Sequence, residues 1–286
     1  MKLAVIGDEL AQDATLVAQT AVQLGFAGVE IRSLQDTPPH QLTDEQLTWV
    51  RALLHQHGLA VAGFAPPVFK CPLPRTDQEM ADCATLLTES CRRAALLGAP
   101  HVRVFSFLPG EYPDPALAAA TTDALLSGVD VAVPLLVETG SRSNTPTVRH
   151  AMTYLDRLGR DDVGLLWDPG NSVYGGWDPA PFPGDYVLGR EAIRHVHVKD
   201  PDGTRGYCRL GDGVLNWPTI FNQLDADGYA HFVSLETHWR HGWVLDEAAR
   251  SRPWGEAFSR GGYAPSVECM QRMRRWADES AGAASA

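Results

Sequence analysis

Eight short runs rich in Val, Ile and Leu recur along the chain, each followed by a longer stretch of helical periodicity. That alternation restricts the fold more than any other feature. The apolar runs are Leu3–Gly7, Gly28–Arg32, Ala60–Ala65, His101–Phe107, Pro134–Thr139, Val163–Asp168, Ile193–Lys199 and His231–His238. Helical patterns cover Asp13–Leu24, Thr43–His57, Gln78–Leu97, Ala116–Leu126, Thr147–Leu158, Trp217–Asp227 and Pro265–Ala277. The connection Asp178–Ile193 is the weakest helix, because Pro179, Pro181 and Pro183 interrupt it. Eight strands each followed by a helix-bearing segment predict an α/β fold, a single-domain (β/α)8 TIM barrel. An open doubly wound sheet would call for fewer strands or a glycine-rich phosphate loop after the first. Gly7-Asp8-Glu9-Leu10-Ala11-Gln12-Asp13 is no such loop.

Local signals agree with that division. Asp13 and Thr43 stand where helix N-caps belong, and Gln46 completes a capping box with Thr43. Gly25, Gly58 and Gly98 stand where helices should stop. The barrel is expected over residues 1–278, with a flexible tail at 279–286. Ser172–Arg190 and Trp239–Tyr263 are long segments beyond the strand ends, suited to covering a substrate. The second is rich in aromatic rings, which suit the C–H faces of a polyol and equally a dimer contact.

The formal net charge of −11 argues against a nucleic-acid partner, which calls for a basic face. No apolar run is long enough to span a bilayer, and the N-terminus turns acidic too soon for a secretory signal. Five cysteines without CxxC spacing predict no disulfide framework and no thiolate zinc site. They are assigned to packing, and the compartment is expected to be cytoplasmic.

Active sites of such barrels lie at the C-terminal strand ends, and alternate side chains point to the axis. In Leu135-Leu136-Val137-Glu138, Glu138 shares the inward phase with Leu136. Asp168 shares it with Leu166, His197 with His195 and Lys199, and Glu236 with Ser234 and His238. For any one of these residues a strand-end ion pair is an equal account; four in phase on adjacent strands point to a bound cation. Three carboxylates and an imidazole suit one divalent metal ion, manganese first, with magnesium, cobalt and zinc as alternatives. His195, deeper than His197, fits a hydrogen-bonded core histidine better than a ligand.

The chain resembles the sugar-phosphate isomerase/epimerase superfamily, the xylose isomerase-like TIM barrels. The matching pieces are Gly7–Asp13, Phe26–Arg32, Trp167-Asp168-Pro169-Gly170-Asn171, His195-Val196-His197-Val198-Lys199-Asp200, Gly211-Asp212-Gly213 leading to Trp217, and Val233-Ser234-Leu235-Glu236. The resemblance implies a metal held by Glu138, Asp168, His197 and Glu236, with the two glutamates also forming the catalytic acid–base pair. It spans isomerases, epimerases, dehydratases and C-glycoside-cleaving proteins, so membership does not select among them. Ketose epimerases of this kind carry His where this chain has Asn171 and Glu where it has Asn144. Related trinuclear nucleases also need the histidine that Asn171 replaces.

The function expected is isomerisation or epimerisation of a keto-sugar or related polyol. Glu138 or Glu236 abstracts the proton next to a carbonyl, giving a metal-stabilised ene-diolate. The alternative is a metal-dependent lyase of the inosose dehydratase, dehydroshikimate dehydratase or C-glycoside-cleaving type. Candidate substrate contacts are Arg32, Arg103, Asn171, Lys199, His238, Trp239 and Arg205, the last in a loop where the family often places a contact. Arg103 has ion pairing with Glu30 as its competing role. Lys70, after the third strand, is a weaker candidate. The partner is a small molecule, with no nucleic acid and no membrane, and both a homodimer and a homotetramer stay open.

Overall fold

A computed structural model describes residues 1–129, 131–246, 248–249 and 252–283. The eight expected strands are present: β1 Lys2–Ile6, β2 Gly28–Ile31, β3 Ala60–Val68, β4 Val102–Val104, β5 Leu135–Glu138, β6 Val163–Trp167, β7 Ile193–Val198 and β8 Phe232–Leu235. All pair in parallel and close into a barrel in the order β1-β8-β7-β6-β5-β4-β3-β2. Val5, Val102, Val137, Leu165, Val196, Val198, Val233 and Leu235 are buried between the strands and the surrounding helices. Complete burial of each such side chain stabilises the barrel by about 1.5–3 kcal/mol relative to exposure.

The helices start where their caps direct. Asp13 accepts hydrogen bonds from the Thr15 and Leu16 amides ahead of helix Ala14–Gln23. The Thr43–Gln46 capping box opens Asp44–Gln56. Gly25, Gly58 and Gly98 each have positive φ, as left-handed helix ends require. β3 runs three residues past its expected end. Its Pro66 and Pro67 lack amide donors, and its register with β4 shifts between Phe64 and Val68. After β6 the prolines leave only the short helices Pro169–Tyr174 and Gly184–Gly189. The final helix, Tyr263–Ala283, is helical through the start of the expected tail, and 284–286 lie outside the described residues.

Inside the barrel, room is made for large polar groups by removing side chains opposite them. A Cβ at Gly63 would stand 2.6 Å from His101 Nε2, so only glycine admits that ring. Beyond β7, a two-residue antiparallel arm, Asp200–Pro201 with Tyr207–Cys208, rises over the strand ends. Its base is fixed by the Asp200 carboxylate, which accepts from the amides of Gly211, Gly213 and Leu215 at 2.7, 3.1 and 3.2 Å. A Cβ on Gly213 would collide with Asp200 Oδ1 at 2.2 Å, which accounts for the Gly-Asp-Gly motif.

Candidate metal centre and substrate cavity

Glu138, Asp168, His197 and Glu236 each bring one ligand atom to within 4.8 Å of all the others. Glu138 ends β5. Asp168 follows β6 and caps helix Pro169–Tyr174 through Oδ1, which accepts from the Asn171 amide at 3.0 Å. His197 lies on β7, and Glu236 directly follows β8.

His197 decides what this cluster can hold. Its Nε2 faces Glu30 Oε1 and Oε2 at 3.1 and 3.2 Å. A proton donated there leaves Nδ1 with a free lone pair. Nδ1 is buried, has no hydrogen-bond partner, and stands 3.5, 3.8 and 3.6 Å from oxygens of Glu138, Asp168 and Glu236. Asp168 Oδ2 likewise accepts no aligned hydrogen bond, though the Lys199 ammonium lies 2.7 Å away. A bare imidazole nitrogen surrounded by carboxylate oxygens, backed by a carboxylate on the other ring nitrogen, fits a divalent cation.

The electrostatics carry the same mark. Burial and the two glutamates push Asp168 up to about 7, against the pull of Lys199. Burial alone would lower His197, but Glu30 and Glu138 outweigh it and bring the ring to about 10, so the surrounding acids hold a proton on Nδ1 at the place a cation would take. Burial opposes ionisation of Glu138, yet Arg103 and His197 hold it down at about 2. Glu236 is held well below the ordinary range because Lys199, His238, His197 and Arg32 overcome its burial.

Each glutamate has its own arginine. Arg103 Nη1 donates to Glu138 Oε2 at 2.9 Å, and Arg32 Nη1 to Glu236 Oε1 at 2.6 Å. Arg103 therefore pairs with Glu138 rather than Glu30, and Glu30 holds His195 Nε2 at 2.9 Å together with His197. His195 also shares a 2.8 Å hydrogen bond with Ser234, as a core histidine should.

A cavity of about 440 Å³ opens over the cluster. Arg103, Asn171, Lys199 and His238 line it, as does Lys70. Asn171 Nδ2 donates to Glu138 Oε1 at 3.0 Å, and His238 Nδ1 meets Glu9 Oε1 at 2.8 Å. Three expected substrate contacts are corrected. Arg32 is fully buried beneath the cavity, locked to Asp8, Glu9 and Glu236. Arg205 has a 79% exposed side chain paired with Asp202, outside the cavity. Trp239 packs edge-on against His241 and is absent from the lining. Of the aromatic segment, Trp254 reaches the cavity, whereas Trp243 and Tyr263 are exposed.

Sequence reasoning missed Tyr207 and Glu9. Tyr207 covers the site from the two-residue arm, its ring 5.4 Å from the Lys199 ammonium. The arm is too short to show periodicity. Glu9 stood in a quoted motif but outside any strand, so strand phase could not aim it. Asn144 proves to be a loop staple, donating to Ser106 O at 2.8 Å and accepting from the Asp114 amide at 2.8 Å. A larger hollow of 1040 Å³ lies at the opposite barrel end, between Lys2, Arg160, Glu191 and His231, with none of the four converging side chains in its lining.

The sequence profile of the xylose isomerase-like TIM barrel matches residues 18–260. The chain belongs to this family. Members and structural neighbours of this xylose isomerase-like barrel include sugar epimerases and a dehydratase. It is 24% identical over 280 residues to the inosose dehydratase of Geobacillus kaustophilus (strain HTA426), covering 85% of this chain and 82% of that one. The fold is similar to that of L-ribulose 3-epimerase, with a TM-score of 0.75, 17% identity, and coverage of 99% and 97%. It is also similar to D-psicose 3-epimerase from Clostridium cellulolyticum H10, with a TM-score of 0.71, 16% identity, and 98% of both chains covered. No helix among the described residues is long and apolar enough to cross a membrane.

Proposed function

We propose that this xylose isomerase-like barrel is a divalent-metal-dependent isomerase or epimerase of a keto-sugar or related polyol. One observation carries the reading: the buried, partnerless Nδ1 of His197 amid oxygens of Glu138, Asp168 and Glu236. These four residues would hold the cation, manganese first. A cation there supplies Lewis acidity, making the hydrogen beside a substrate carbonyl easier to remove. Glu138 or Glu236 takes that proton, and the same or the opposite glutamate returns it. Return to the other face epimerises the carbon, whereas return to its neighbour isomerises the sugar. Asn171 fixes the Glu138 carboxylate, Arg32 fixes that of Glu236, and the Tyr207 ring lines the cavity beside the Lys199 ammonium. Lys199, on the cavity wall, sets positive charge beside the reacting oxygens.

That ammonium also supports a second reading, dehydration, because its charge on the cavity wall would stabilise the oxygen of a departing hydroxyl. The likeness to an inosose dehydratase points the same way. Incubation with L-ribulose, D-psicose and scyllo-inosose in deuterated water tests both. Isomerisation or epimerisation gives a product of unchanged composition with deuterium at the reacting carbon, and dehydration gives a product lighter by one water. Absence of exchange and turnover across all three contradicts the proposal, as does full activity in both Glu138→Gln and Glu236→Gln.

A further inference from the structure

We propose that Lys70 is a further catalytic residue, carrying one of the two proton transfers while a glutamate carries the other. The inference rests on the functional reading above and adds a residue to it. Lys70 lines the same cavity as Glu138 and Glu236. Its ammonium lies 5.3 Å from the centre of the Phe105 ring, and the guanidinium of Arg103 lies 4.4 Å from the same centre. Two cations thus share one aromatic ring at the cavity wall.

The backbone on either side is built to hold that arrangement. Phe69 and Phe107 are non-glycine residues at φ 59° and 62°, both buried, with their rings 4.8 Å apart. Such left-handed conformations persist only where the surroundings enforce them, and they gather at functional sites. The Lys70 amide donates to Pro67 O at 3.1 Å, closing a turn at the end of β3. The next carbonyl, of Cys71, accepts from the Leu108 amide at 2.8 Å. Lys70 is therefore anchored from both neighbouring strand ends.

The charged groups acting on it are Arg32 from β2's end, Arg103 on β4, Glu138 on β5 and Glu236 after β8. Burial and Arg103 disfavour the ammonium more than the glutamates favour it, leaving Lys70 at about 7. A group tuned to neutrality can both accept and release a proton, and that is what the reaction needs. Glu138 and Glu236, each gripped by an arginine, do not retain a proton at neutral pH. A glutamate carboxylate takes the proton from the carbon beside the carbonyl: the C–H bond breaks, an O–H bond forms, and the electron pair stays with the substrate. Lys70 in its ammonium form gives a proton to carbon, or to a hydroxyl whose C–O bond breaks to release water, and the proton held by the glutamate then restores the Lys70 ammonium.

The chain has only three lysines, Lys2, Lys70 and Lys199, which makes amine labelling readable residue by residue. Pulse labelling with acetic anhydride across a pH series, read by peptide mass spectrometry, should give Lys70 a midpoint near 7. An ordinary midpoint for Lys70 overturns the proposal. With whichever of the three substrates is turned over, Lys70→Met should keep the metal stoichiometry and melting temperature. It should lose about 10²–10⁴-fold in kcat, far more than any change in KM, and lose the limb near pH 7. Lys70→Arg should fail equally, since arginine keeps its proton. Recovery of kcat by Lys70→Arg, or persistence of the limb in Lys70→Met, also overturns it. If the wild type turns over none of the three, the functional reading fails and the role of Lys70, which rests on it, fails with it; an ordinary midpoint in an active wild type overturns Lys70 alone.

Discussion

The two halves of the barrel mouth differ in what they contribute. Strands β5 to β8 end in Glu138, Asp168, His197 and Glu236, an acidic rim around one imidazole nitrogen. Strands β2 to β4 and the turn after β3 bring Arg32, Lys70 and Arg103. The acidic half has the donor set for a cation. The basic half aims two of those acids, through Arg32 on Glu236 and Arg103 on Glu138, and leaves the other oxygen of Glu138 for Asn171. A site of three carboxylates is thus kept from self-repulsion by cations from both sides: Arg103 depresses Glu138 from across the barrel, and Lys199 beyond β7 acts with Arg32 on Glu236.

The division can be broken most severely from the acidic side. His197→Ala removes the one nitrogen of the proposed donor set, and metal affinity measured by calorimetry should fall by more than about 100-fold, beyond the range of an outer-shell change. Undiminished binding would place the metal elsewhere. From the basic side, Arg103→Met leaves Glu138 buried without its cation. Denaturant titration in chelator at pH 7 should show a loss of about 3–5 kcal/mol. The sign with pH follows from the depressed carboxylate, held at about 2 in the wild type. Its stabilising contribution is present above the unfolded carboxylate range and is lost as pH falls towards 2. The deficit of Arg103→Met should therefore shrink on acidification, and a deficit that grows would contradict the pairing.

Glu30→Gln sharpens the comparison, because Glu30 comes from the basic half yet serves the acidic one. An amide orients His197 less strongly than a carboxylate, so metal affinity should drop about 10–100-fold with the fold intact. The smallest effect is expected at Arg205, exposed and paired only with Asp202. Arg205→Ala should change stability by less than about 0.5 kcal/mol and leave KM as it was. A marked rise in KM would restore it to the substrate contacts.

The acidic half was the more legible in sequence, for a physical reason. β5 to β8 keep their alternation up to their last residues, so phase alone brought Glu138, Asp168, His197 and Glu236 to one mouth. The basic half required knowledge of what lies across the barrel. Arg32 has the expected inward phase, but its partner Glu236 is 204 positions away, and that pairing draws it out of the cavity. Lys70 follows two prolines and a left-handed Phe69, where strand alternation has ended. Tyr207 sits on a two-residue arm, while its neighbour Arg205 points to solvent. Cys71 and Cys83, assigned to packing, bring their sulfurs to 3.8 Å, a closeness their spacing does not announce.

Titration of chelator-treated protein with manganese, alongside Asp168→Asn, tests the central claim most directly. One saturable site per chain in the wild type, abolished or severely weakened in the variant, is the result this account predicts. No saturable binding, or the same stoichiometry and affinity in both proteins, would contradict it.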